Sequence, residues 1–174
     1  MLVELKLACA DFTFPLLAHE QAFKLIALLG FRGVDIGLFE DRSQLQPSHV
    51  KPNPAASARA LSQKVADAGL EFADIFFQAP SFEQMAANHP DAGALFLRRL
   101  EFALRCTATH LTGLPGVEWD GVPFETSLQR SADELAWRVE QARQAGVVYS
   151  VEAHFGSIVP TPQKAMQLLA ATPA

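Results

Sequence analysis

Cysteine is scarce: Cys9 and Cys106 are the two in 174 residues, and a single pair cannot supply the disulfide framework of a small secreted domain. Each lies in an apolar segment, where a reduced thiol behaves as a small hydrophobe, so both read as core residues. The opening, Met1-Leu2-Val3-Glu4-Leu5-Lys6, breaks its apolar residues with charge and lacks the continuous hydrophobic stretch of a signal peptide. No apolar run approaches the roughly 20 residues that span a bilayer. These absences predict a cytoplasmic protein with no membrane partner. Basic runs are missing too: 14 Lys and Arg are scattered among 19 Asp and Glu, for a net charge of -5. Nothing in that pattern would neutralise a phosphate backbone, which excludes nucleic acid as a partner. A Gly-rich phosphate loop and a redox Cys pair are also lacking. What is present, 49% hydrophobic and 19% charged residues, is the balance of one soluble domain over residues 1–174 with a substantial core.

The chain repeats a unit. Apolar, β-rich runs occur at Leu2 to Cys9, Gly33 to Leu38, Leu70 to Phe77, Thr109 to Leu114 and Val147 to Val151. Similar junctions precede three of them, Leu29-Gly30-Phe31, Ala68-Gly69-Leu70 and Ala145-Gly146-Val147, with Gly where a helix ends in a left-handed residue. Between the runs, Ala22, Phe23, Ile26 and Leu29 share one helical face, as do Ala58, Leu61, Val65 and Ala68, and Leu135, Val139 and Ala142. Ser131-Ala132-Asp133-Glu134 has the spacing of a capping box and predicts a helix from Ser131 to Ala145. Pro162 suits the first turn of one more, over Thr161 to Ala170. Strand followed by helix, repeated, implies an α/β fold with a parallel sheet and right-handed crossovers.

Long connections follow the predicted strand ends. Glu40 to Pro54, Pro80 to Pro90 and Pro115 to Ser127 are rich in Pro and Phe. Loops of such length in a compact domain are often functional. They fall at strand C-termini, the face where barrels and open parallel sheets bind ligands.

The segment with most chemistry is Val147-Val148-Tyr149-Ser150-Val151-Glu152-Ala153-His154. An apolar strand ending in Glu-x-His puts a carboxylate and an imidazole on the same side of an extended chain. Both groups are competent ligands for Mn²⁺, Mg²⁺, Co²⁺ or Zn²⁺. Two donors make only a partial site, and Glu152 paired with a Lys or Arg, with His154 capping a loop, is an equal reading of the pattern.

The chain resembles the xylose isomerase-like TIM barrels, a superfamily of sugar phosphate isomerases and epimerases that includes an apurinic-site endonuclease. The resemblance is carried by Leu29-Gly30-Phe31-Arg32-Gly33-Val34-Asp35-Ile36, Leu70-Glu71-Phe72-Ala73-Asp74-Ile75-Phe76, Leu114-Pro115-Gly116 and Val151-Glu152-Ala153-His154. It implies a TIM (β/α)8-barrel type fold with only about the first five β/α units present, since a complete barrel takes about 250 residues. It also implies that Glu152 is a divalent-metal ligand and that the other ligands, an Asp, a His and a Glu, belong to the sixth, seventh and eighth strands. The expected function is metal-assisted proton transfer on a sugar or polyol, with little or no activity from these five units alone. Phe155-Gly156-Ser157-Ile158 holds no second Glu of the kind the sugar epimerases use, so the general base is unassigned. Leu114 stands where the endonuclease branch has a His, which disfavours that branch.

Asp11, Glu118, Trp119 and His154 are the candidate substrate-binding residues, all placed just after predicted strands. Trp offers a platform for the apolar face of a sugar but can equally fasten its own loop, and an Asp at a strand end is a common cap. His110 reads as a core or bottom-face residue and His49 as a surface one. His19 and His89 carry no functional expectation. Phe76, Phe77, Phe82, Phe96 and Phe102 read as core or subunit contacts. An open arc of strands would leave two unpaired edges and an exposed apolar interior, which favours association into homo-oligomers. The alternative is a non-catalytic, five-stranded, flavodoxin-like binding domain, and strand order discriminates the two.

Overall fold

Five parallel strands lie side by side in chain order, β1 to β5, in a computed structural model that describes residues 5–78 and 92–172. They are β1 (Ala8–Ala10), β2 (Gly33–Phe39), β3 (Glu71–Gln78), β4 (His110–Gly113) and β5 (Val148–Val151). The helices are α1 (His19–Leu28), α2 (Pro47–Val50), α3 (Pro54–Asp67), α4 (Ala92–Arg105), α5 (Phe124–Gln144) and α6 (Pro162–Ala171). A flavodoxin-like sheet would place β1 between β2 and β3. The sequential order instead makes an arc of a β/α barrel, because right-handed crossovers between successive neighbours stack every helix on one side. That order overturns the flavodoxin-like topology.

The junctions explain the repetition. Gly30, Gly69 and Gly146 take φ of 89°, 72° and 74°, and the residue after each donates back across the helix end: Phe31 N to Ile26 O, Leu70 N to Val65 O and Val147 N to Ala142 O at 3.3, 3.1 and 2.9 Å. This is the bond pattern of a Schellman cap. The junction before β4 closes in the same way, with Ala108 N on Ala103 O at 3.0 Å, but its left-handed residue is Thr107 at φ 60°.

Alternation along the strands separates two faces. Val34, Ile36, Leu38, Ile75, Phe77 and Leu111 are buried toward the helices, where Phe23, Ile26, Leu61, Val65, Phe96 and Phe102 complete the core. Asp35, Gly37 and Phe39 take the concave face, with Asp74, Phe76 and Thr112 beside them in register. A register shift at Val34/Asp35 makes Ala73 the extra residue of β3.

Two boundaries differ from the sequence expectation. β1 starts at Ala8, not Leu2: Ala8 pairs with Gly33, and Leu5 and Leu7 are exposed because β2 itself begins at Gly33. Residues 1–4 lie outside the description. α5 starts at Phe124, seven positions before the expected Ser131, so Ser131 is a buried mid-helix residue and Glu134 pairs with Arg138 instead of closing a cap. α6 has the expected Pro162 at its first turn, with Thr161 Oγ1 accepting from Lys164 N at 3.3 Å. The Glu40 to Pro54 connection contains α2, and Asn53 caps α3 by accepting from Ala56 N at 3.0 Å. Phe82, His89 and the connection from Pro80 to Pro90 lie outside the described residues. Among the described residues no helix is long and apolar enough to cross a membrane.

Candidate functional site

Glu152 follows the last residue of β5 and is exposed at the strand-end rim, its amide donating to Gly113 O at 3.1 Å across the β4–β5 ladder. His154 lies two residues further along. Its Nδ1 is 2.6 Å from Phe155 O, an atom that only accepts, so Nδ1 carries the proton and a neutral ring has its lone pair on Nε2. The segment that holds both is fastened twice. Ser157 donates through N and Oγ to His154 O, at 3.0 and 2.7 Å, and Ile158 N donates to Gly116 O at 2.9 Å. The loops after β4 and β5 are thereby joined, which holds the backbone that carries Glu152 and His154 at the strand-end rim.

The remaining sequence candidates are spread. Glu118 is exposed, with Lys164 Nζ 4.0 Å away. Trp119 is half-buried in the same loop; its amide reaches Ser127 Oγ at 3.4 Å and its carbonyl accepts from Val122 N at 3.1 Å. Asp11 is buried with both oxygens engaged, Oδ1 accepting from Gly37 N at 2.8 Å and Oδ2 lying 3.1 Å from His19 Nε2. It ties the end of β1 to β2 and to α1. His19, which carries no functional expectation in the sequence, is buried and stacked on Phe23 with ring centroids 5.0 Å apart. His110 is exposed at the start of β4, bonded through Nδ1 to Thr109 Oγ1 at 3.0 Å, on the bottom side away from the rim.

Asp35 and Asp74 escape a reading by motif. They are direct partners across β2 and β3 on the concave face. Burial, then the charges of Asp74 and Asp11, push the Asp35 carboxyl above the usual range. Burial raises Asp74 against the opposing pull of the Thr112 hydroxyl, the Ile75 amide and His110. Asp74 Oδ1 is buried without a hydrogen-bond partner among the described residues. The available signal was an acid in the same place of two repeats, Val34-Asp35-Ile36 and Ala73-Asp74-Ile75. Above this pair the face is aromatic: Phe39 stacks edge-on with Phe12 and Phe76 at 5.0 and 5.3 Å.

Metal binding needs several converging donors. Among the described residues no group of three or more His, Cys, Asp and Glu side chains is placed to hold an ion. Glu152 and His154 are two donors, so the residues described do not by themselves fit a complete metal centre.

Solved structures with this arc are known. The D-psicose 3-epimerase with D-tagatose from Clostridium cellulolyticum H10 superposes with a TM-score of 0.73 at 15% identity, covering 96% of this chain and 60% of its own. The probable 3-DHS dehydratase AsbF of petrobactin synthesis from Bacillus anthracis gives 0.70 at 12%, covering 96% and 59%. The IolI protein with a binding zinc atom gives 0.70 at 17%, covering 95% and 58%. Identities so low establish the fold alone, and the chain spans about three fifths of the length of these structures. No curated protein matches the sequence. The sequence profile of xylose isomerase-like TIM barrels, however, matches residues 23–173, from within α1 through β2 to β5 and α6. The chain therefore belongs to the xylose isomerase-like TIM barrel family.

Proposed function

We propose that the chain forms the first five units of a sugar phosphate isomerase or epimerase-type protein, in which Glu152 is the one ligand these units bring to a divalent metal. The observation that carries this reading is the placement of Glu152: exposed at the C-terminal end of β5, with its backbone locked to Gly113 and its neighbour His154 held by Ser157. Strand-end positions are where β/α barrels collect their reacting groups. His154, Glu118 and Trp119, in the loops after β4 and β5, are the candidate contacts for a sugar or polyol, the polar groups for hydroxyls and the indole for an apolar ring face. The two rim donors leave a centre incomplete. What the chain's own residues do is orient: Glu152 accepts from a hydroxyl, and the Nε2 side of His154 exchanges a hydrogen bond with another.

The test is Mn²⁺ calorimetry on this chain and on a longer form carrying three further β/α units, each with and without Glu152→Gln. Binding by the longer form alone, removed by the substitution, supports the metal-barrel reading. If neither form binds, Glu152 is structural and a non-catalytic binding role takes precedence. Robust turnover of a sugar by the 174-residue chain would contradict the expectation that these units are inactive alone.

A further inference from the structure

Away from the rim of β5, one cavity gathers positive charge. It measures about 310 Å³ and lies between the connection after β2 and helix α4. Leu95, Arg98, Arg99 and Phe102 line it from α4, at spacings of three and four that place them on one helix face. Lys51, just past α2, and Phe77 of β3 also line it.

Other arginines of this chain close onto acids: Arg105 on Glu101, Arg138 on Glu134 and Arg143 on Glu140, at 2.7, 2.7 and 2.8 Å. Arg98, Arg99 and Lys51 have no carboxylate within ion-pair distance among the described residues. Arg99 instead lies over the ring of Phe77, its Cζ 5.4 Å from the centroid. The acid on the cavity wall, Glu40, is engaged with the backbone, accepting from Ser48 N at 3.2 Å.

Guanidinium groups supply several directed N–H donors to tetrahedral oxyanions, and a lysine adds a mobile point charge. A cavity of this size with apolar walls holds a small molecule with a few polar anchors. We propose that it binds the phosphate group of a small phosphate monoester, held by Arg98, Arg99 and Lys51, with the organic part against Phe77 and Phe102. Burial, then the charge of Arg138, lowers the Arg99 guanidinium to about 10. It stays protonated at neutral pH, and a bound dianion relieves part of that electrostatic cost. Phe77 points to the helix side of the sheet, and β3 is two strands from β5. The site is therefore separate from Glu152 and His154, and does not depend on the rim reading.

The experiment is calorimetry at neutral pH and low salt with inorganic phosphate, phenyl phosphate and benzoate as probes. Phenyl phosphate is expected to bind more tightly than inorganic phosphate and at least about tenfold more tightly than benzoate, as two guanidinium forks favour a dianion. Arg99→Gln should weaken phenyl phosphate about tenfold or more, and Glu152→Gln should leave it unchanged. Glu40→Gln should strengthen binding about threefold, since it removes a like charge from the wall; this variant decides the matter if Arg99→Gln fails to fold. Absence of saturable binding by either phosphate, equal binding of benzoate, or indifference to both Arg99→Gln and Glu40→Gln would overturn the proposal.

Discussion

Asp35 and Asp74 face each other across β2 and β3, two carboxyls in register on the concave side of the arc with both pKa values pushed upward. A carboxyl with a raised folded-state pKa binds its proton more tightly in the native than in the unfolded chain. Ionisation therefore removes stability as pH climbs from the ordinary carboxylate range through the raised value, and the loss is complete above it. Asp35→Asn removes one charge of the pair, and the expected gain at neutral pH is about 0.2–1 kcal/mol, the scale of a like-charge pair directly opposed in a sheet. Urea denaturation at neutral pH and near the ordinary carboxylate pKa checks it: the advantage should shrink at the acidic end. A constant gain at both pH values would mean that charge is not the cause.

Asp11 has a different part. It accepts from the Gly37 amide and meets His19 while itself buried, so Asp11→Ala would strand a buried N–H and a buried imidazole. The expected cost is about 1–3 kcal/mol, read as a lower urea midpoint with an unchanged slope. Asp11→Asn, which keeps an acceptor for Gly37, should recover part of that loss. Equal stability of all three proteins would remove Asp11 from the frame of the fold.

The arc was legible in the sequence because its cause is local and repeated. Gly30, Gly69 and Gly146 each mark a helix end, and an apolar run follows within a residue or two. The fourth junction was less visible because Thr107, not glycine, takes the left-handed turn. Ser131-Ala132-Asp133-Glu134 misled for the opposite reason. A capping-box pattern shows local spacing but does not reveal whether the preceding residues are already helical, and here Pro123 is the N-cap and Ser131 is buried within α5. Glu152 and His154 lie on one short segment and could be read together. Asp35 faces Asp74 only through a register shifted at Ala73, while Lys51 meets Arg98 and Arg99 only through packing of separate units. Neither grouping follows from spacing along the chain.

Thr107 offers a direct test of the recurring cap. A β-branched residue at φ 60° is strained by its Cβ, at a typical cost of about 1–2 kcal/mol. Its hydroxyl recovers part of this by donating to Cys106 O at 2.6 Å. Thr107→Gly relieves the strain but loses that bond and makes the unfolded chain freer. The net expectation is a gain of about 0.5 kcal/mol, whereas Gly146→Thr, the reverse change at an equivalent junction, should cost about 1–2 kcal/mol. Thermal denaturation of the two variants should move in opposite directions, and a fall in both would show that the four junctions are not equivalent.

The neighbouring thiol tests how well the core beneath that cap is sealed. Cys106 has no exposed surface, and burial pushes its thiol up to about 12, against a lowering by the Ser62 hydroxyl. The thiolate is the reactive form, so both access and ionisation protect it. Cys9 is only partly buried, near the open edge strand β1. A thiol reagent at pH 8 should therefore modify Cys9 first in the native chain, and Cys106 only at the rate of opening of the core, with both reacting together in denaturant. Cys106→Ala should be destabilising, since it leaves a small void in the buried cluster. Rapid native labelling of Cys106 would mean that the packing between α4 and the sheet opens far more often than its burial implies.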